Sequence, residues 1–408
     1  MKLIATAIVF LSLTVQGIAQ IQVAGGLRFS KFPPKDYLLD KGWRFQAGDN
    51  PEWARPDFGD SLWKQVSLSD YRTYLPDLLR QHIGWFRLRF FVDSPGTMNQ
   101  AVLALSQLGA SDCYMNGHPF LHLGSIGTNG LVKSDNPHYK PFLLSSSLAD
   151  SVTIAIRFAT RGGTDRIPLF RETKSLPLSV TISDWNNGLN RYETDLRNQR
   201  IPLGLSFLSI GIGILFLVIH VFLPDNKLNL LFAGFCFCLG MIAGLQYQLT
   251  EGNLDISSLS LVYFLWQLTD RLCSVLVLAL LSLIVFSRIK IFQWAIIFWF
   301  LGLSSLFSYF SPPGKLPEFV LLTGRLLFMA ELLRVSFYAF RQGFIIPGIT
   351  AFASAVFQGS FLLLVLKHKD FTDYYFRYNQ MICFALLGLY LISALAVAKK
   401  YQRSVRLR

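Results

Sequence analysis

Five ionisable residues stand inside long apolar runs, where a charge is expensive: Asp270 and Arg271 in one run, Arg325, Glu331 and Arg334 in another. A charge so placed needs a partner, which makes these residues candidates for a transport path or a switch between helices. Successive residues on a helix differ by about 100°, so Asp270 and Arg271 cannot face the same way, and at least one needs a partner on another helix. Glu331 and Arg334 are three apart and can pair locally, whereas Arg325 lies about 180° from Arg334. The spacing predicts a polar cluster in which Asp270 meets Arg325 or Arg334 and Glu331 balances the remaining charge. The competing reading is a static tie between helices.

A second set of reactive side chains lies near the N-terminus: Asp49, Glu52, Asp57 and Asp60. Glycoside hydrolysis needs two carboxylates at a fixed separation in a deep cleft. These four sit in Pro- and Gly-rich sequence, where capping turns or pairing with Arg44 and Arg55 is the simpler role. Trp43, Trp53, Trp63 and Trp85 have faces that suit a sugar ring. Core packing is expected for Trp43, Trp63 and Trp85, which leaves Trp53 and Asp57 as the candidate ligand contacts. His82, His118, His122 and His138 are scattered, and Cys236 and Cys238 have poor metal-site spacing, so no metal site, cofactor or catalytic residue is expected. Cys113 is the one cysteine ahead of the long apolar runs, so this region is expected to hold together without an internal disulfide.

The elements that must position these residues differ along the chain. Hydrophobic residues make up 52% of its 408 residues and charged residues 15%, and mean hydropathy is +0.40, so much apolar surface must face something other than water. From Ile201 the apolar runs lengthen to about twenty residues, enough to cross a bilayer. Spans are expected at about 201–223, 228–249, 260–286, 291–310, 318–340, 344–366 and 380–400. Ahead of them, Lys2, the apolar run Leu3–Val15 and Gly17-Ile18-Ala19 read as a signal peptide cleaved after Ala19.

The net charge of +13 is not spread evenly. Gln20 to Arg200 carries 21 basic against 17 acidic residues, whereas Lys399 to Arg408 carries five basic and no acidic ones. A basic tail beside the last apolar run reads as a cytoplasmic flank, which argues against nucleic acid as the partner. Lys227, Arg288, Lys290, Arg341 and the tail fall on the expected inner side. Lys315, Lys367, Lys369 and Arg377 fall on the outer side, so Lys and Arg favour the inside by nine to four.

Between Gln20 and Trp185 the apolar pattern has period two. Phe86, Leu88, Phe90 and Val92 alternate with Arg87, Arg89 and Phe91; Val152, Ile154, Ile156 and Phe158 do the same, as do Leu176, Leu178, Val180 and Ile182. Asn116-Gly117 suits a type I′ hairpin turn. Strands with no convincing helix predict a β-sandwich or jelly roll over 20–185. Residues 186–200 read as a polar linker that could serve as a coupling element or a stalk, 201–400 as the α-helical membrane domain, and 401–408 as a short basic tail.

Several motifs run in order through this region: Gly42-Trp43-Arg44-Phe45, Asp49-Asn50-Pro51-Glu52-Trp53-Ala54, Pro56-Asp57-Phe58, Asp60-Ser61-Leu62-Trp63, Gly84-Trp85-Phe86-Arg87, Gly109-Ala110 and Tyr114-Met115-Asn116-Gly117. This order resembles the galactose-binding-like jelly roll at the N-terminus of glycoside hydrolase family 2 enzymes, over roughly Leu38 to Ile182. The catalytic barrel of such enzymes has no counterpart after Trp185, so the expectation is a non-enzyme. An exported jelly roll joined to seven helices is similar to the bacterial seven-transmembrane receptors with diverse intracellular signalling modules. That resemblance implies a multi-pass protein of the bacterial inner membrane, its jelly roll in the periplasm and its C-terminus in the cytoplasm. It also implies a sensor that binds an extracytoplasmic ligand, carbohydrate or another small molecule, and signals through its helices. No output module follows the seventh run, so the expected partners are the lipid bilayer, that ligand and a separate cytoplasmic signalling protein, with a homodimer as an option. A transporter or channel component is the competing class, and a membrane-anchored carbohydrate-binding protein a third.

Overall fold

The computed structural model describes residues 27–29, 36–92, 101–127, 132–144, 151–161, 176–224, 227–310 and 315–367. The leader, the expected seventh span and the basic tail lie outside these residues.

The first half is a sandwich of two sheets. The larger contains β1 (Leu27–Phe29), β3 (Trp43–Ala47), β4 (Lys64–Val66), β5 (Ile83–Val92), β7 (Ala110–Met115), β8 (His118–Leu123) and β12 (Ser151–Ala159), in the order β4-β3-β5-β12-β7-β8, with β1 parallel to β5. The smaller has the order β11-β6-β13-β2, from β2 (Tyr37–Leu38), β6 (Ala101–Gln107), β11 (Pro141–Leu143) and β13 (Leu178–Asp184). A separate pair, β9 (Ser125–Ile126) and β10 (Val132–Lys133), completes the set. The alternation read from the sequence places the core: Phe86, Leu88 and Phe90 of β5 and Ile154, Ile156 and Phe158 of β12 meet Leu103 and Leu105 of β6 and Leu178, Val180 and Ile182 of β13. Asn116 and Gly117 take φ of 51° and 85° between β7 and β8, as a type I′ hairpin requires. A Cβ on Gly117 would also come within 2.9 Å of Pro56.

Two local expectations are corrected. A short helix, α1 (Leu75–Gln81), stands in the region read as all strand; Pro76 and Asp77 open it, and His82 ends it in the left-handed conformation. The stretch 186–200, read as a linker, belongs to one 38-residue helix, α2 (Trp185–Phe222). Its N-cap is Asp184, whose carboxylate accepts from the Asn187 N–H at 2.8 Å, so the last strand of the sandwich turns directly into helix.

The second half is helical: α3 (Lys227–Glu251), α4 (Ile256–Phe286), α5 (Ile291–Ile297), a π-helical stretch Phe298–Leu303 leading into α6 (Ser304–Phe310), α7 (Lys315–Arg341) and α8 (Ile345–Lys367). These coincide with the first six expected spans. Three of them, Trp185–Phe222, Leu228–Leu249 and Ile256–Phe286, are long and apolar enough to cross a membrane. The expected set of seven is thereby cut back to three among the described residues: Ile291–Phe307 and Ile345–Val356 are shorter apolar helices, and α7 carries Glu318, Arg325, Glu331 and Arg334 along its length.

α2 and α3 pack closely along each other, with the Ser206 hydroxyl donating to Gly240 O at 2.7 Å and Ile210 filling the space where a Gly240 side chain would stand. The starts of α2 and α4 and the end of α3 lie against the sandwich. An edge-to-face contact of Phe286 with Tyr338 at 5.6 Å brings the ends of α4 and α7 together at the remote end. Lys227, Arg288, Lys290 and Arg341 thus share the end of the bundle away from the sandwich.

Candidate functional site

On the outer face of the larger sheet the loop 48–63 folds back over β5 and β12. A second, smaller core forms there from Ala54, Trp63, Trp85 and Ala155, with Trp53, Phe58 and Tyr114 packed against it. Arg87 lies beneath the loop, only 1% exposed. Its guanidinium donates to Asp60 at 2.9 Å, to Arg55 O at 2.9 Å, to Phe58 O at 3.4 Å and to Trp53 O. The phenyl ring of Phe58 lies 5.7 Å away. The motifs from Asp49 to Trp63 are thus folded around one arginine, and Arg87, read as the solvent side of a strand, is the buried post that holds them.

The sequence-predicted ligand contacts lie in this loop. Trp53 is partly buried, edge-on to Trp63 at 5.1 Å and to Trp85 at 6.2 Å. Asp57 is exposed and paired with Arg55 at 2.9 Å, and Arg55 also reaches Glu52 at 3.1 Å. Arg44 instead donates to Trp63 O. The Arg55 hydrogen bond holds the Asp57 carboxyl below its ordinary range. Asp49 is held low chiefly by a two-pronged hydrogen bond from Arg157, with Trp85 adding a third donor. Depressed carboxyls are the opposite of what a general acid needs. Arg157 also reaches Asp112 at 2.9 Å, and the other oxygen of that carboxylate accepts from His122 Nδ1–H at 2.9 Å. Of the expected core tryptophans, Trp43 and Trp85 are fully buried and Trp63 nearly so. Burial pushes the Cys113 thiol up to about 12, so it is inert packing.

An open cleft of about 290 Å³ lies elsewhere on the sandwich, lined by Phe45, Gln46, Ala47, Lys64, Asp77, Arg80 and Gln81. Lys64 donates to Thr73 O and stands 3.9 Å from Asp77, which Arg80 approaches at 3.6 Å. Sequence reasoning missed it because β3, β4 and α1 build it jointly.

In the bundle the five charged residues form two layers, not one. The first lies near Asp270, about 21 Å along α4 from Ile256 at 1.5 Å per residue. Asp270 faces the charges of Arg325 and Arg271. Arg271 donates to Ser305 on α6 at 2.8 Å and to Gln267 at 3.3 Å. Arg325 donates to Gln358 on α8 at 3.2 Å, and Gln358 donates to Ser274 at 3.0 Å. Helices α4, α6, α7 and α8 meet in this layer. The second lies about 18 Å further along α4, at Ser282. There Glu331 accepts two hydrogen bonds from Arg334 at 2.7 Å, and Gln293 on α5 donates both to Glu331 at 2.5 Å and to Ser282 at 2.9 Å.

Local pairing of Glu331 with Arg334 and the facing of Asp270 with Arg325 match the helical geometry. The single cluster expected to include Glu331 is not found, because Glu331 is engaged by Arg334 and Gln293 in the second layer. The polar partners Gln267, Ser274, Ser305, Gln358, Gln293 and Ser282 were missed. A signal existed for two of them: Gln267, Asp270, Arg271 and Ser274 recur at i, i+3, i+4 and i+7, a polar stripe on an otherwise apolar helix.

α4 also enters the sandwich. Ile256 and Leu259, 0% and 1% exposed, belong to the sandwich core, with Leu249 and Leu254 packed against it. The Asn253 side chain accepts from the Asn136 N–H at 2.9 Å, and Ser257 N–H reaches Arg161 O at 3.3 Å. At the start of α2, Arg191 pairs with Asp36 at 2.6 Å and lies 4.1 Å from the centroid of the Tyr139 ring.

No family model matches the chain, and no curated protein matches it. Six solved chains do, among them a beta-glucuronidase from Bacteroides uniformis. It is 17% identical over 36% of this chain and 18% of its own length, with a TM-score of 0.23.

Proposed function

We propose that this protein is a membrane sensor: the sandwich takes a small extracytoplasmic ligand, and the helices carry its occupancy to the opposite side of the bilayer. The observation that carries this reading is the double membership of α4. Its first turn completes the core of the sandwich, and its middle meets α6, α7 and α8 at the Asp270 layer. A rearrangement of the sandwich therefore acts on the bundle through packed side chains as well as through α2. Only a ligand with different affinity for two such arrangements shifts them.

In this reading the six described helical segments, α5 and α6 counted as one, and the apolar run 380–400 form seven spans of a bacterial inner membrane, with the sandwich in the periplasm and the Lys290 end in the cytoplasm. A cytoplasmic signalling protein reads the arrangement there. The polar cleft around Gln46, Lys64, Asp77 and Arg80 has the chemistry for a hydroxyl-rich ligand such as a sugar. The loop bearing Trp53 and Asp57 is the other candidate surface.

The test uses the full chain in lipid nanodiscs, screened against a glycan library by tryptophan fluorescence, with hydrogen exchange followed in the presence of any binder. A sensor shows altered protection both in the sandwich and in α4 near Asp270. A binder that alters the sandwich alone would make the helices a passive anchor. Uptake of a solute by reconstituted vesicles, with no binder at the sandwich, would point to a transporter.

A further inference from the structure

We infer that the remote end of the bundle, between the turn 287–290 and the end of α7, holds the phosphate of an anionic lipid headgroup. This rests on the reading of the bundle as membrane-embedded. The Lys290 ammonium lies 4.5 Å from the centroid of Phe286 and 5.8 Å from that of Tyr338. Arg334 lies over the same two rings, at 5.0 and 5.5 Å, and 4.7 Å from Phe292. Two cations are thus gathered at the same two aromatic rings, and the buried Glu331 neutralises only Arg334.

Arg288 is exposed in the same turn, and Arg341 is exposed on the last turn of α7, 5.2 Å from the centroid of Phe337. Among the described residues no carboxylate stands within ion-pair distance of Arg288, Lys290 or Arg341. Aromatic faces attract cations but leave the positive charge unneutralised. Such a cluster suits an anion, and its surroundings point to the source. Ile291, Phe292, Trp294 and Phe337 are 88%, 41%, 57% and 57% exposed beside the basic turn, a surface for acyl chains and not for water. Basic pockets between helices at a cytoplasmic interface suit such headgroups.

Reconstituting the full chain in phosphatidylcholine vesicles, with and without phosphatidylglycerol, tests this, with retained lipid counted by native mass spectrometry. Wild type is expected to retain phosphatidylglycerol over phosphatidylcholine. Arg288→Gln together with Lys290→Gln should weaken that retention about tenfold or more, Lys290→Arg should keep it, and Lys140→Gln at an exposed position of the sandwich should leave it unchanged. Equal retention of both lipids by wild type, or unchanged preference in the double variant, overturns the site. Displacement of the lipid by inorganic phosphate also overturns it, by making the occupant a soluble anion. Failure of the chain to float with neutral vesicles would instead defeat the membrane reading itself.

Discussion

Arg87 and Arg271 are buried to the same degree, 1% and 2% exposed, and are put to different use. In the sandwich Arg87 gathers one carboxylate and three backbone carbonyls of a single loop, so its charge fixes local chain path. In the bundle Arg271 reaches the hydroxyl of Ser305 on another helix, and Arg325 in the same layer reaches the amide of Gln358. There the chain path is already set by helical hydrogen bonds, and polar side chains decide how helices sit against one another. A buried charge thus shapes a loop where backbone is irregular and a helix interface where it is not.

The largest effect expected follows from that contrast. Arg87→Ala strands Asp60 and the loop carbonyls without their donor, and should destabilise the sandwich by about 3–5 kcal/mol. Denaturant titration should show the loss, and limited proteolysis should cut between 48 and 63. Ile256→Ala should come next, at about 3 kcal/mol from a cavity in a close-packed core. The loss should appear in the sandwich although the residue belongs to a helix of the other half. A loss confined to the bundle would break the assignment of Ile256 to the sandwich core.

If α7 crosses the bilayer as proposed, Glu331→Leu should cost the bundle about 1–2 kcal/mol, because polar contacts between membrane helices are individually modest. Thermal unfolding in nanodiscs reads it, and a loss exceeding that of Arg87→Ala would reverse the comparison. Smaller still is the acid response of the Asp49–Arg157 pair. Its folded carboxyl value lies below the ordinary 3.8, so its contribution is fully present above that pH and is lost as pH falls through the depressed value. Arg157→Gln should flatten the stability curve below about pH 4 and leave its slope near neutrality unchanged. Asp57→Asn, at an exposed pair, should leave the melting temperature unchanged.

These cases also show what the sequence exposes and what it hides. Period-two alternation located β5, β12 and β13, and Asn116-Gly117 located a hairpin, because both are local signals. Arg87 was misjudged because the loop that buries it lies more than twenty residues earlier in the chain. Residues 186–200 resemble a linker because their side chains are polar, yet Asp184 caps a helix that runs through them without a break. Charge positions within apolar runs correctly marked Asp270 and Glu331 as buried. Their separation into two layers depends on partners such as Gln293 that other helices supply, which no single helix encodes. The insertion of Ile256 and Leu259 into the sandwich was equally invisible, since apolar residues at the start of an apolar helix carry no mark of their partner.

Hydrogen exchange on the full chain in nanodiscs, comparing wild type with Ile256→Ala/Leu259→Ala and with Leu144→Ala, tests the shared role of α4 most directly. Leu144 is a buried member of the same core that does not belong to α4. Both variants should loosen β6 and β13, and only the first should also loosen α4 and α7 around Asp270 and Arg325. Unchanged protection at that layer in the α4 variant would contradict the account.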